Sequence, residues 1–218
     1  MKYNTMIFDL DGTLLDTIKD IQETMNQVMR INGYPEYSVE EYKYFVGSGV
    51  DILIQRVMRT SKIPDNMFPI LKEGYYEVYA KQSKINTKVY DGILDLINEL
   101  KSENISVNVL SNKPHTQTLD VINYYFKAGT FDLIYGKKEE FSPKPDPSSA
   151  FDLISSLGVK PEEVIYVGDT EIDIQTSKNA GFLSVGVLWG FRKKEELLQA
   201  GSDVIVENPL DIMRLIRG

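Results

Sequence analysis

Two textures divide the chain. From about residue 91 onward, short apolar runs alternate with segments whose apolar positions recur every three to four residues. The runs fall at residues 105–110, 131–135, 164–167, 183–188 and 203–206, and one more, at residues 6–8, opens the chain. Between them, Ile93, Leu96, Ile97 and Leu100 share a helical face, as do Leu119, Ile122 and Phe126. A third helix spans residues 148–157 with Gly158 as its stop, a fourth ends at Ala180-Gly181, and a terminal helix closes the chain. Strand–helix alternation with β-branched, mainly apolar strands indicates a parallel sheet covered on both faces. The expected fold class is α/β, a doubly wound parallel sheet.

Residues 16–84 read differently. Ile18, Ile21, Met25, Val28 and Met29 mark a helix ending near Asn32-Gly33, and Ser38-Val39-Glu40-Glu41 is a capping-box start for a helix through Phe45. Gly47-Ser48-Gly49 is a flexible break, and Val50, Leu53, Ile54, Val57 and Met58 mark the next helix. Pro64 and Pro69 bracket another break before a helix through Leu71, Tyr75, Val78 and Tyr79. No strand pattern interrupts this stretch, so an all-helical block is expected to be inserted after the first strand. The expected division is an α/β core of residues 1–15 and 86–218 with a helical insert of residues 16–85, hinged near Leu14-Leu15-Asp16 and residues 83–89.

Composition removes several classes of function. The 24 basic against 32 acidic residues leave a net charge of −8, which argues against binding a nucleic-acid backbone. A phosphorylated ligand would have to be held by a local cluster of donors and a metal. There is no cysteine and a single histidine, His115, which excludes thiolate catalysis, Cys-type zinc sites and multi-histidine metal centres. Met1 to Thr5 lead straight into the first strand with no apolar leader, and no apolar stretch approaches the ~20 residues of a membrane helix. A cytoplasmic protein is expected, a monomer or weak homodimer, with neither membrane nor nucleic acid as partner.

The chemistry concentrates where strands end. The first is followed by Asp9-Leu10-Asp11-Gly12-Thr13, two carboxylates two positions apart. Other strands lead into Ser111-Asn112-Lys113-Pro114, a loop with Ser142-Pro143-Lys144-Pro145, and Gly168-Asp169-Thr170-Glu171-Ile172-Asp173. Ligands of open α/β sheets bind outside the carboxyl ends of the strands, so all four converge on one edge. Clustered carboxylates suit Mg²⁺, which keeps waters and substrate phosphate among its ligands. A hydroxyl, main-chain amides and a lysine suit phosphoryl oxygens, and a strand-end Asp can act as nucleophile.

These four ordered motifs resemble those of the haloacid dehalogenase superfamily, and the resemblance spans nearly the whole chain, the helical insert corresponding to a cap domain. Residues 45–50, 111–114 and 188–191 look most like phosphoglycolate phosphatases. The resemblance implies a Rossmann-like core and a Mg²⁺-dependent phosphatase acting on a small phosphorylated metabolite, with 2-phosphoglycolate as one such substrate. It implies that Asp9 attacks phosphorus to form an aspartyl-phosphate and that Asp11 protonates the leaving group, then activates water. Mg²⁺ would be held by Asp9, the Asp11 carbonyl and Asp169, with Asp173 in or near the next shell of contacts. Gly12, Ser111, Asn112 and Lys144 would bind the phosphoryl group.

Plainer readings stand beside these. Asp173 equally suits the first turn of a helix, where an acid favours the dipole, and Ser111 could cap a helix. Gly47-Ser48-Gly49 reads as a hinge or as a specificity loop. Lys113 and Arg56 are read as surface charges ahead of substrate contacts, His115 as a capping or exposed residue, and Met25, Met29 and Met58 as helical-block core. Alternative functions are a β-phosphoglucomutase-like phosphomutase, against which Thr13 stands, a pyrophosphatase, and a non-catalytic phospho-ligand binding protein.

Overall fold

β1 (Thr5–Phe8) is buried at every position, as a strand inside a sheet with two covered faces must be. The chain passes through the short β2 (Leu15–Asp16) into α1 (Ile18–Ile31), α2 (Val39–Phe45), α3 (Val50–Thr60) and α4 (Phe68–Gln82), and returns through β3 (Lys88–Val89). Alternation follows: α5 (Ile93–Ser102), β4 (Ser106–Pro114), α6 (His115–Tyr125), β5 (Ile134–Lys137) and α7 (Ser148–Leu157). It continues with β6 (Val164–Gly168), α8 (Glu171–Ala180), β7 (Leu183–Val187), α9 (Lys194–Gln199), β8 (Val204–Val206) and α10 (Met213–Arg217). This computed structural model describes residues 2–217; Met1 and Gly218, both within the expected core, lie outside the described residues.

Six strands form one parallel sheet in the order β5-β4-β1-β6-β7-β8, while β2 and β3 pair as a separate ribbon. The doubly wound α/β class is the one expected. Alternate residues of β1 serve opposite faces: Met6 and Phe8 pack with Leu96, Leu100 and Val121, whereas Ile7 packs with Leu153, Ile154 and Ala180. The order reverses at β1, since the chain steps outward to β4 and β5 and then crosses back to β6. Beyond the strand ends at such a reversal lies the crevice where open sheets bind ligands. The register places Phe8 level with Val109 and with Val167, so Asp9, Leu110 and Gly168 stand at one height across the three neighbouring strands.

Some element bounds differ from expectation. β5 begins at Ile134, because Phe131 is used in a loop, its ring packed edge-on against Phe126 at 5.1 Å. β4 continues through Pro114 with a register shift after Leu110, so the Ser111-Asn112-Lys113 motif is strand rather than the loop beyond it. Pro69 is no break: it sits in the first turn of α4, where its missing N–H would have had no helical partner. The short α9 buries only Leu197, too little apolar periodicity to be read.

The chain divides into two compact units, Asp16–Lys88 and the remainder. In the helical unit Met25, Met29, Ile54, Leu71 and Tyr75 are buried, and Tyr75 and Tyr79 stack at 5.5 Å. The expected capping box is present at α2: Ser38 Oγ accepts from Glu41 N–H, and Glu41 accepts from Ser38 N–H at 2.8 Å. Residues 86–88, expected with the core, belong here because the buried Asp20 carboxylate accepts from Asn86 and Thr87 main-chain N–H groups and side chains at 2.7–3.1 Å. Arg56 is no free surface charge. Its guanidinium donates to the carbonyls of Tyr44, Phe45 and Val46 and to Ser48 Oγ, satisfying the C-terminal end of α2 and ordering the glycine-flanked loop. No helix among the described residues is long and apolar enough to cross a membrane.

Candidate active site

At the sheet's reversal four strand ends deliver their side chains to one buried cluster. Lys144, from the segment between β5 and α7, is its centre. Its Nζ donates to Asp9 Oδ1 at 2.8 Å, Asp173 Oδ1 at 2.7 Å, Tyr166 Oη at 2.8 Å and the Leu110 carbonyl at 3.1 Å. Asp9 is the first residue beyond β1, and its Oδ2 accepts no hydrogen bond among the described residues. Asp169, just past β6, accepts from Thr13 Oγ1 at 2.9 Å and from the Phe191 N–H at 2.8 Å. Asp173 takes up both of its readings. It accepts from Thr170 N–H and Oγ1 as the acid of a capping box, and it also holds Lys144.

Asp9, Asp169 and Asp173 each place a carboxylate oxygen within 4.8 Å of the others, all three residues being buried. Three acids then face one ammonium, and the excess negative charge shows in proton affinities. Burial above all, then Asp173 and Asp11, push Asp9 up to about 7 from its ordinary 3.8 against the pull of Lys144. Burial, then Asp173 and Asp9, raise Asp169 well above the usual carboxylate range. Burial also works against the charge of Lys144, but Asp173 and Asp9 outweigh it and hold the ammonium protonated well above its ordinary range. Burial raises the Tyr166 phenol, so its O–H stays in place to donate to the Leu110 carbonyl at 3.1 Å. A close set of hard oxygen donors with uncompensated charge fits a divalent cation.

The other expected residues are gathered here too, some in unexpected employment. Asp11 sends both oxygens to Lys113 Nζ, at 2.8 and 3.0 Å, and its side chain stands apart from the three-acid group. Lys113, expected at the surface, is therefore a buried ion-pair partner, because β4 continues and carries it inward. Ser111 Oγ accepts from Lys113 N–H at 3.3 Å, and its own proton has no acceptor among the described residues. The Asn112 carboxamide is joined to the main chain of Lys144. Gly12, expected to offer its amide, donates that N–H to the Leu15 carbonyl at 2.8 Å. Its contribution is room: at φ +94° a Cβ would stand 2.3 Å from Asp169 Oδ2. Gly190 clears the other flank, where a Cβ would stand 2.3 Å from that of Asp169.

Several participants escaped the sequence reading. Tyr166 is a phenol within an apolar strand, and its polar tip was the available sign. Arg192, buried against Glu171 at 2.8 Å, follows directly on the Phe191 amide that holds Asp169. Trp189 donates Nε1 to the Thr13 carbonyl at 3.0 Å. His115 stays outside the cluster, its Nδ1 accepting from Gly136 N–H at 3.2 Å.

Known proteins carry the same framework. The family model for haloacid dehalogenase-like hydrolases matches residues 6–187. A phosphoglycolate phosphatase of Aquifex aeolicus is 31% identical over 97% of this chain and 95% of its own length. One from Vibrio cholerae is 30% identical over 92% and 91%. A solved structure of a candidate phosphoglycolate phosphatase from Lactobacillus delbrueckii subsp. bulgaricus superposes with a TM-score of 0.94 at 31% identity, covering 99% of both chains. The chain belongs to the haloacid dehalogenase-like hydrolase family.

Proposed function

We propose that this hydrolase is a Mg²⁺-dependent phosphatase of small phosphorylated metabolites, with 2-phosphoglycolate the first substrate to test. One observation carries the reading: Asp9 has one carboxylate oxygen fixed by Lys144 and the other without a hydrogen bond among the described residues, at the strand end where the sheet reverses. The names of relatives at 31% and 30% identity support the choice of substrate.

In this reaction Asp9 Oδ2 attacks phosphorus, the ester P–O bond breaks, and the leaving oxygen takes a proton from Asp11. The aspartyl-phosphate is then attacked at phosphorus by water, whose proton passes to the Asp11 carboxylate as Asp9 departs. Lys113 Nζ, 2.8 Å from Asp11 Oδ2, would steady that side chain in both roles. Ser111 offers its free O–H to a phosphoryl oxygen, and Lys144 neutralises charge beside the nucleophile. Mg²⁺ would be held by Asp9, Asp169 and the Asp11 carbonyl with Asp173 alongside, and when bound it supplies the charge that lets an anionic nucleophile approach an anionic phosphoryl group. The helical unit serves as the cap that selects the leaving group, and the setting is the cytoplasm.

The test is phosphate release from a panel of sugar and acid phosphates, 2-phosphoglycolate included, with Mg²⁺. Release from at least one is expected, and Asp9→Asn should abolish it while leaving the fold intact. Isomerisation of a sugar phosphate without net release would favour the mutase, and inertness towards the whole panel would refute the reading.

A further inference from the structure

We propose that Asn112 is a positioning residue for Lys144 and not a ligand of the phosphoryl group. Its side chain makes a two-point bond to a single residue 32 positions away: Oδ1 accepts from the Lys144 N–H at 2.8 Å, and Nδ2 donates to the Lys144 carbonyl at 3.1 Å. This pairing copies the exchange between neighbouring strands, and it needs one acceptor and one donor on a rigid plane, which among side chains of this length only Asn supplies.

Lys144 needs such an anchor. It lies between β5 and α7 in a segment without helix or strand, preceded by the exposed Ser142 and Pro143, so no ladder holds its main chain. Yet its three ammonium protons must be shared among four oxygens around one buried Nζ. A flexible side chain meets that demand only when its Cα is fixed. Asn112 fixes it from β4, the rigid element next to β1, and Asn179 steadies the following residue by donating to the Pro145 carbonyl at 2.9 Å. Asn112 and Lys144 are each buried, as a bond of this kind requires to stay unscreened by water. The consequence for phosphoryl transfer rests on the function proposed above; the anchoring itself does not.

Two readouts test it, the first free of substrate and metal. In protein labelled with ¹⁵N-lysine, the Lys144 ammonium should give a slowly exchanging NMR signal, assigned by its loss in Lys144→Arg. In Asn112→Ala that signal should broaden away or vanish. The second readout is steady-state kinetics on whichever phosphoester the wild type hydrolyses. There kcat should fall on the order of 10²-fold, the cost of displacing a reacting group by about 1 Å, with KM little changed. Asn112→Asp, which keeps the acceptor and loses the donor, should show the same split to a smaller degree, and it decides the matter if Asn112→Ala does not fold. An unaltered ammonium signal in the variants, or a raised KM with kcat retained, would overturn the proposal. A wild type that hydrolyses no phosphoester sinks the functional reading alone, because the ammonium signal still decides whether Asn112 places Lys144.

Discussion

Asp9 should make the metal-free protein less stable as pH rises through neutrality. Burial foremost holds its pKa at about 7 when folded, against 3.8 ordinarily. The folded state therefore binds more protons than the unfolded one between those values. This stabilising contribution is fully present below 3.8 and is lost as pH climbs through 7. Working the two-state proton linkage from pH 5 to pH 8 gives a loss of about 2.5 kcal/mol. The assay is urea unfolding with chelator present, followed by fluorescence of Trp189, the sole tryptophan and a member of the α/β unit. Asp9→Asn is the control, since it keeps the shape and cannot ionise. His115, whose pKa is lowered by burial and by Lys138 and which therefore acts in the opposite direction, is common to both proteins and cancels. Relative to Asp9→Asn, the wild type should lose at least about 2.5 kcal/mol between the two pH values, since Asp169, which the Asp9 charge raises, adds in the same direction. Mg²⁺ at a hundred times its Kd should return about 2.7 kcal/mol at that pH, with tighter binding at pH 8 than at pH 5 because the liganding carboxylate must shed its proton. A difference that stays flat with pH, or a wild type that gains on the variant, would refute the electrostatic account of the cluster.

Gly12→Ala should cost activity out of proportion to its size. The new methyl would meet Asp169 Oδ2 at 2.3 Å on a backbone at φ +94°, so Mg²⁺-dependent turnover should fall at least tenfold and stability by roughly 1–2 kcal/mol; kinetics and melting together check it. Asp20→Ala strips the acceptor from Asn86 and Thr87 and should destabilise the helical unit by about 3 kcal/mol, seen as faster amide exchange at those two residues. Lys62→Gly should raise stability by about 1 kcal/mol in thermal unfolding. Lys62 stands two residues past α3 at φ 54°, with Ile63 N–H bonded to the Met58 carbonyl in the manner of a helix stop where glycine is at ease.

Those effects also mark how far the chain could be read in advance. The doubly wound sheet was legible because short apolar runs such as residues 6–8 and 164–167 have no polar alternate face and recur between helical patterns, as covered parallel strands do. Asp9, Asp169 and Lys144 were legible as a group because each follows such a strand. What pattern could not supply was the partner of each polar group. Lys113 read as a surface charge, because nothing local reveals that β4 runs on past Leu110 and turns its ammonium towards Asp11, 102 positions away. Asn112 and Gly12 stood as phosphate ligands through the family resemblance, while their bonds to Lys144 and Leu15 depend on main-chain geometry. Tyr166 read as one more apolar strand residue, since its hydroxyl matters only once Lys144 arrives from a distant loop. Arg56 escaped for the same reason, its acceptors being the carbonyl ends of a neighbouring helix.

The central claim is that Asp9 bonds covalently to phosphorus while Asp11 moves the proton, and covalent trapping tests it most directly. Asp11→Asn, deprived of the group that activates water, is mixed with Mg²⁺ and a phosphoester that the wild type hydrolyses, quenched in acid within one turnover and digested for mass spectrometry. The account predicts a phosphoryl group on the peptide containing Asp9, absent from Asp9→Asn treated alike. A phosphoryl group on another residue, or wild-type turnover with no covalent species on Asp9 under any quench, would contradict it.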